Sequence, residues 1–204
     1  NLKSGVLIQS TLGHGEHFYS MNPGHPFSKY VNFNDGAETS IPCPLCEDFR
    51  KYLYDSVVKI CKCGPSEIMI DDDFRLISGR DGLGCGCEKH IKKFNDYAKT
   101  SLTRQEIYDI IIGDGELAKT YSDIMLKVQK DSLVETAKVI RNAIDSVDKN
   151  IQGSISTGGD AIKEIAKVMA GENKPSIVRI GNGSYGPKII NTFTFAFFRG
   201  ATQY

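Results

Sequence analysis

Short apolar runs alternate with longer amphipathic stretches along most of this chain. Runs of four to six residues rich in Ile, Val, Leu or Met predict buried strands at residues 5–10, 67–70, 151–156 and 176–180. Each of the three intervals between these runs carries apolar residues at helical spacing. Strand and helix alternation of this kind predicts a parallel sheet with helices packed outside it.

The apolar spacing places helices over residues 44–63, 116–149 and 160–170, and a further helical stretch continues from residue 91. Thr103 and Glu106 have the spacing of a capping box, which predicts the start of a short helix that Gly113 ends.

Residues 19–42 differ from the rest of the chain because they are rich in Pro, Gly and Asn with scattered aromatic side chains. This composition predicts a long irregular loop, and ordered loops of that length are uncommon unless they serve a site.

Four strands with their crossover helices make about half of an eight-stranded barrel, which typically needs about 250 residues. We therefore expect an α/β fold, a partial (β/α)8 TIM barrel, with residues 1–204 in a single domain. The chain begins with Asn1 rather than Met and stops just after an aromatic run at residues 193–198, so we expect a fragment of a longer barrel.

Charge and hydropathy narrow the choice of partners. Lys plus Arg and Asp plus Glu number 25 each, so no net field draws the chain to nucleic acid or to an anionic membrane surface. No apolar run approaches the ~20 residues of a membrane span. Closely spaced cysteine pairs are typical of a metal site or a reducing compartment, and we expect a cytoplasmic protein.

The densest chemistry follows the second predicted strand, where Asp71, Asp72 and Asp73 are succeeded by Arg75. Two carboxylates held at different pKa values can cleave a glycoside, because one protonates the leaving oxygen while the other attacks or activates water. Binding of a hard cation is the main rival, and a loop opener or helix cap is the plainer alternative. If the extended backbone continues, Asp71 and Asp73 share one face.

A second cluster combines Cys85, Cys87 and His90 in the spacing C-x-C-x-x-H. These residues supply three metal ligands, whereas a closed structural zinc site needs four. Cys43 is the best candidate for the fourth because it lies at a predicted helix start, where the helix dipole favours a thiolate. Cys46, one turn later, is the substitute, and buried cysteines without a metal remain the alternative.

Other polar residues at predicted strand ends can line a sugar pocket. His14 lies in a Gly-rich loop after the first strand, Arg179 lies in the fourth strand, and Tyr185 follows it. Together with Arg75, these side chains are our candidates for substrate binding through hydrogen bonds and stacking.

Gly181, Gly183 and Gly186 match the dinucleotide fingerprint G-x-G-x-x-G. Pro187 and a β-rich aromatic run follow instead of the helix whose N-terminus would bind phosphate, which argues against this reading. A nucleotide-dependent oxidoreductase accordingly ranks only third among our hypotheses.

With these residues in view, the chain resembles clan-A TIM-barrel glycoside hydrolases, specifically the family-42 β-galactosidase-like group. In that family a strand-end Asn-Glu is followed by a C-x-C-x-x-C loop, which binds zinc together with a cysteine from upstream. This chain carries Cys43-Pro44 upstream, the run IMIDDDFR at the strand and the loop CGCEKH. The resemblance makes the predicted strands about numbers three to six of the barrel.

The resemblance also implies residue roles. It places Asp73 at the general acid/base and Asp72 at the preceding Asn, with zinc on the Cys/His loop. It puts the nucleophile, a Glu of the seventh strand, outside this chain, and it implies a carbohydrate substrate and a homo-oligomer. The chain departs from the family pattern in having Asp for Glu, Asp for Asn, and His90 for the third loop cysteine.

The leading hypothesis is therefore a segment of a glycoside hydrolase barrel, inactive by itself. The alternative is a non-catalytic barrel that binds carbohydrate and uses zinc only structurally. A carboxylate at the seventh strand end of the whole protein would separate the two.

Overall fold

The fold is taken from a computed structural model, which describes residues 3–9, 11–12, 26–76, 82–156 and 161–179. In chain order the elements are β1 (Gly5–Ile8), β2 (Lys29–Val31), β3 (Glu38–Pro42), α1 (Glu47–Cys61), β4 (Glu67–Ile70), α2 (Glu88–Ala98), α3 (Arg104–Ile112), α4 (Glu116–Asp145), β5 (Gln152–Ser156), α5 (Ile162–Met169) and β6 (Ile177–Arg179).

Four of the strands form one parallel sheet in the order β1-β4-β5-β6. Each pairs with the next in register, so that Ile8, Ile70 and Ile155 lie side by side. Apart from the antiparallel pair β2-β3, neighbours in the sheet are also neighbours in the sequence, and the strand order never reverses. The described residues therefore contain no switch point of the kind that defines doubly wound sheets.

The helices cover one face of this sheet. Ile68, Ile70, Ile155 and Val178 belong to a single buried core with apolar residues of α1, α4 and α5. The alternate positions point the other way, and Leu7 there is 42% exposed. A parallel sheet with helices on one side only is the arrangement of a barrel wall, and the predicted α/β fold with a partial barrel is confirmed, although the described strands do not close.

The long helix α4 connects two cores. Its second half packs through Leu133, Ala137 and Ile140 into the core beneath the sheet. Its first half packs through Met125 and Val128 into a smaller cluster that α2 and α3 complete. The apolar stripe predicted for this helix therefore serves core packing along its length.

Local signals in the sequence account for several helix ends. Thr103 and Glu106 form the predicted capping box at the start of α3, and Gly113 is its C-terminal cap. Helix α1 is followed by Gly64, whose φ of +74° is a left-handed conformation that glycine adopts without strain.

Two predictions about the first part of the chain are wrong. Residues 26–42 are not irregular, because β2 and β3 pair as a hairpin whose turn uses Gly36 at a φ of +73°. The sequence Asn-Asp-Gly at this turn was the available signal. The first strand ends at Ile8 rather than residue 10, and it alternates between exposed and half-buried positions because it lies at the sheet edge with β4 as its only partner among the described strands.

Arg141 of α4 joins three elements on the side of the sheet where β5 begins. Its guanidinium is almost fully buried and donates from Nη1 to the carbonyls of Ile151 and Met169, at 3.3 and 3.4 Å. Its Nη2 donates to Asp145 Oδ1 at 2.7 Å. The same side chain thus completes the last turn of α5 and fixes the start of β5 against α4.

We expect Arg141→Leu to lower the free energy of unfolding by about 3 kcal/mol, because it leaves a carboxylate and two carbonyls without their buried donor. Urea unfolding measures this change. Lys138→Leu is the matched control, since it removes the same charge from an exposed position of α4 and should cost less than about 0.5 kcal/mol. A loss for Arg141→Leu no larger than for the control would contradict the assignment.

Within the described ranges, no helix combines the length and the apolar character that crossing a lipid bilayer demands.

Candidate functional site

The three consecutive carboxylates lie on a turn at the carboxyl end of β4. The strand stops at Ile70, and the carbonyl of Asp71 then accepts a hydrogen bond from Phe74 N at 3.2 Å. This turn brings carboxylate oxygens of Asp71, Asp72 and Asp73 within 4.8 Å of one another. The extended geometry on which the prediction of alternating faces depended therefore ends with the strand.

Asp71 and Asp73 are buried, and Asp72 is half-buried. Arg75 donates from Nη2 to Asp73 Oδ1 at 3.3 Å, so its guanidinium pairs with this carboxylate. The buried Nε atom of Arg75 has no hydrogen-bond partner within the described residues.

Arg179 lies at the same edge of the sheet. It is in register with Ser156 and donates from Nη1 to Ser156 Oγ at 3.1 Å. Because Ile70 pairs with Ile155, Asp71 and Ser156 follow at the same level. The carboxyl edge therefore carries a carboxylate, a hydroxyl and a guanidinium on three adjacent strands, a polar set suited to sugar hydroxyls.

His14, Tyr185 and the glycines at 181, 183 and 186 lie outside the described residues. Their predicted roles stay predictions.

The Cys/His cluster is assembled from two separate segments of the chain, one with Cys43 and one with the other three residues. Cys43 follows β3, Cys85 lies in the loop between β4 and α2, and Cys87 and His90 form the N-terminal turn of α2. All four ligand atoms lie within 4.8 Å of one another. The structure therefore brings Cys43 to the loop residues, as the choice of fourth ligand requires.

The distances within this group fit a small tetrahedral ion. Cys87 Sγ lies 3.5 Å from Cys43 Sγ and 3.2 Å from His90 Nδ1, and Cys43 Sγ lies 3.6 Å from His90 Nδ1. A tetrahedral zinc with Zn–S bonds of about 2.3 Å separates two sulfurs by about 3.8 Å. Three sulfurs and the Nδ1 atom of His90 could therefore hold a four-coordinate metal ion.

Burial sets the electrostatics of these thiols. Burial raises the pKa of Cys85 well above its ordinary value, and hydrogen bonds to Cys43 and Cys87 raise it further. The contact with Cys85 lowers the pKa of Cys43, but its hydrogen bond to Cys87 and its burial outweigh this and raise the pKa to about 12. Hydrogen bonds from Cys43 and Cys85 lower the pKa of Cys87 below the ordinary thiol range. A divalent cation held by these side chains would favour the ionised form of all three thiols.

The remaining cysteines lie outside this group. Cys46 is buried at the start of α1, where its Sγ accepts a hydrogen bond from Ser28 N at 3.2 Å. Cys61 is buried in the helix core, and burial raises its pKa. Cys63 is exposed just after α1.

Side chains outside the predicted sites hold the backbone next to Cys43. The carbonyl of Pro44 accepts hydrogen bonds from Arg50 Nε at 2.6 Å and from Thr136 Oγ1 at 3.2 Å. The carbonyl of Leu45 accepts from Lys89 Nζ at 3.1 Å. Thr136 is 92 positions away from Pro44, so no local pattern could have revealed this contact.

The hairpin supports both ends of the segment that joins the two clusters. Tyr30 of β2 donates its hydroxyl to the carbonyl of Leu76, just after the carboxylate turn, at 3.2 Å. Further on, Asn32 forms a β-bridge with Cys85, and Gly86 N donates to the carbonyl of Val31 at 2.8 Å. The segment predicted to be an irregular loop is therefore the support on which the carboxylate turn and the Cys/His loop rest.

Comparison with known proteins gives a result at the level of fold. No protein-family model matches the sequence, and no curated protein sequence matches it. Three solved structures resemble the fold, and all are β-galactosidases. The architecture is thus that of a β-galactosidase-like barrel segment.

The β-galactosidase from Bacillus circulans sp. alkalophilus superposes with a TM-score of 0.59 and 18% identity, over 94% of this chain and 32% of that chain. The enzyme from the Antarctic haloarchaeon Halorubrum lacusprofundi gives 0.59 and 10%, over 92% and 33%. The enzyme from the psychrophile Marinomonas ef1 gives 0.55 and 9%, over 83% and 30%. The chain thus spans about a third of the length of these enzymes, and identities of 9–18% concern the fold alone.

Proposed function

We propose that this chain is part of a glycoside hydrolase barrel of the family-42 β-galactosidase-like kind, which hydrolyses O-glycosidic bonds of a carbohydrate substrate. The observation that carries the proposal is the buried Asp71–Asp73 turn at the carboxyl end of a parallel strand. Active sites of parallel α/β barrels lie at this edge. The β-galactosidase structures that share the fold support the same class.

In this proposal Asp73 is the general acid/base that protonates the leaving oxygen, and Asp72 and Arg75 tune it. Asp71 lies in the same turn and adds a third carboxylate to the site. The nucleophile comes from a part of the protein beyond this chain, because a two-carboxylate mechanism needs a second group across the scissile bond.

The remaining substrate-binding residues of the proposal are His14, Arg179 and Tyr185. Arg179 lies level with the carboxylate turn, next to Ser156. The homo-oligomer implied by the family resemblance remains an expectation. The cytoplasmic location expected from the cysteine pairs also remains one.

We further propose that Cys43, Cys85, Cys87 and His90 hold a structural zinc ion. The donor chemistry and the separations support this assignment. Four protein ligands close the coordination sphere, so the ion would cross-link the backbone and leave no position for substrate. Its contribution would be to fix the loop after β4 to the start of α1, and thereby to hold the wall of the site.

A non-catalytic barrel that binds carbohydrate is the second candidate. The ion pair of Asp73 with Arg75 favours it, because a carboxylate that bonds a guanidinium is arranged as a charged ligand rather than as a proton donor.

Nitrophenyl glycosides assayed with the whole parent protein separate the two candidates. We expect release of nitrophenol from a β-galactoside, with little release from the matched α-galactoside. Saturable sugar binding by calorimetry without any turnover would contradict the hydrolase and favour the binding protein. Absence of both binding and turnover over a panel of glycosides would contradict both candidates.

A further inference from the structure

Gln129 of α4, a residue outside the Cys/His group, holds the peptide group of one of its members. Its Oε1 accepts a hydrogen bond from Cys85 N at 3.1 Å, and its Nε2 donates to the carbonyl of Cys85 at 3.0 Å. Nε2 also donates to Met125 Sδ at 3.3 Å. The side chain is completely buried, so its donors and its acceptor are used within the protein.

The backbone of the loop after β4 approaches the side chain of Gln129 closely. Gly84 has a φ of +84°, and a Cβ built on it would lie 2.5 Å from Gln129 Cδ. Only glycine combines this conformation with so close an approach. The loop therefore passes directly over the amide of Gln129 and presents the next peptide group, that of Cys85, to it.

On its other side the same loop is held by the hairpin, through the bridge between Asn32 and Cys85. The Cys85 backbone is thus fixed between β2 and α4. Helix α4 also reaches the segment of Cys43, because Thr136 bonds the Pro44 carbonyl. One helix thereby contacts the backbone at both halves of the Cys/His group.

We propose that Gln129 is a positioning residue of the metal centre, which fixes the Cys85 peptide so that its thiol meets Cys43, Cys87 and His90. This inference rests on the proposed zinc site. Partners of this outer kind orient metal ligands, and their loss typically weakens metal affinity by about 10- to 100-fold.

Two variants of the protein test the role of Gln129. Gln129→Leu removes both hydrogen bonds, and Gln129→Met removes both as well while keeping a side chain of similar length. Ser132→Ala is the matched control for a buried polar group of α4, since within the described part of the chain Ser132 Oγ donates to Val128 O of the same helix. Val128→Ala is the control for a loss of packing nearby.

Zinc affinity is measured by competition with a chromogenic chelator, and the thiolate-to-metal absorption of the Co²⁺-loaded protein reports how many sulfurs bind. We expect both Gln129 variants to bind zinc about 10- to 100-fold more weakly, with reduced absorption per Co²⁺. Both controls should keep the wild-type affinity and spectrum.

Affinities and spectra within twofold of wild type for both variants would overturn the inference. An equal weakening in Val128→Ala, or failure of both Gln129 variants to fold in excess zinc, would reduce Gln129 to a structural role and would also overturn it. If the wild type binds no zinc, the proposed metal centre itself fails, and that result is visible before any variant is compared.

Discussion

Replacing Cys43 with serine should abolish tightly held zinc in this protein and destabilise the fold around the loop after β4. In the proposed zinc site Cys43 supplies one of the four donor atoms, and its Sγ lies 3.5 Å from Cys87 Sγ and 3.6 Å from His90 Nδ1. Structural zinc contributes about 10 kcal/mol or more of binding free energy in small zinc-folded peptides. Loss of a direct ligand should therefore weaken the zinc affinity by more than about 100-fold, which is the upper range for residues that only hydrogen-bond a ligand.

The measurement is metal content by mass spectrometry after purification under reducing, chelator-free conditions, followed by thermal unfolding. Wild type should contain about one zinc per chain and should unfold at a lower temperature after treatment with a strong chelator. The Cys43→Ser protein should lack the metal and should not respond to the chelator.

Cys46→Ser is the matched control because Cys46 is also buried, three positions away, but lies outside the four-residue group. A serine hydroxyl can accept the same hydrogen bond from Ser28 N that the thiol accepts. This variant should keep its zinc. Retention of zinc by Cys43→Ser and its loss from Cys46→Ser would transfer the fourth position to Cys46, and wild type without zinc would refute the site.

The second large effect concerns Asp73 in the whole parent protein. Asp73→Asn should lower kcat/KM for a β-galactoside with a poor leaving group by about 10²- to 10⁴-fold, because the amide cannot donate the proton that general acid catalysis supplies. This corresponds to about 3–5 kcal/mol of transition-state stabilisation. Steady-state kinetics measures it directly.

A leaving group that departs without protonation distinguishes the chemical role from a structural one. With a dinitrophenyl glycoside the Asp73→Asn protein should lose much less rate in the glycosylation step, whereas a misfolded site would lose both reactions equally. Asp72→Asn is the matched control in the same turn, and its loss should be smaller. Equal losses on both substrates, or full activity of Asp73→Asn, would contradict the acid role.

The predictions that succeeded rested on local patterns. Cys85, Cys87 and His90 lie close together because their spacing is local and a helix turn keeps Cys87 and His90 on one side, whereas a metal at this group stays a prediction. The strand Glu67–Ile70 was predicted with its observed bounds, because a short β-rich run between Gly-Pro and three carboxylates has few alternatives. The capping box at Thr103 likewise depends only on residues three positions apart.

The errors arose where the conformation depends on distant partners. The backbone at Asp72 turns rather than continuing as a strand. This turn depends on where pairing with the neighbouring strand β1 ends. The prediction of an irregular loop was wrong at the hairpin β2-β3 because its strands are short. The bridge from Asn32 to Cys85 joins residues far apart in the sequence.

By itself, the sequence determined the alternation of strands and helices, the positions of the two chemical clusters and the absence of a net charge, since each of these depends on residue type and near neighbours. Only the tertiary structure decided that Cys43 meets the loop cysteines while Cys46 stays apart, and that Gln129 holds the Cys85 peptide. The physical reason is that contacts across 44 positions depend on the packing of α4 and the hairpin around the loop, which no local spacing encodes.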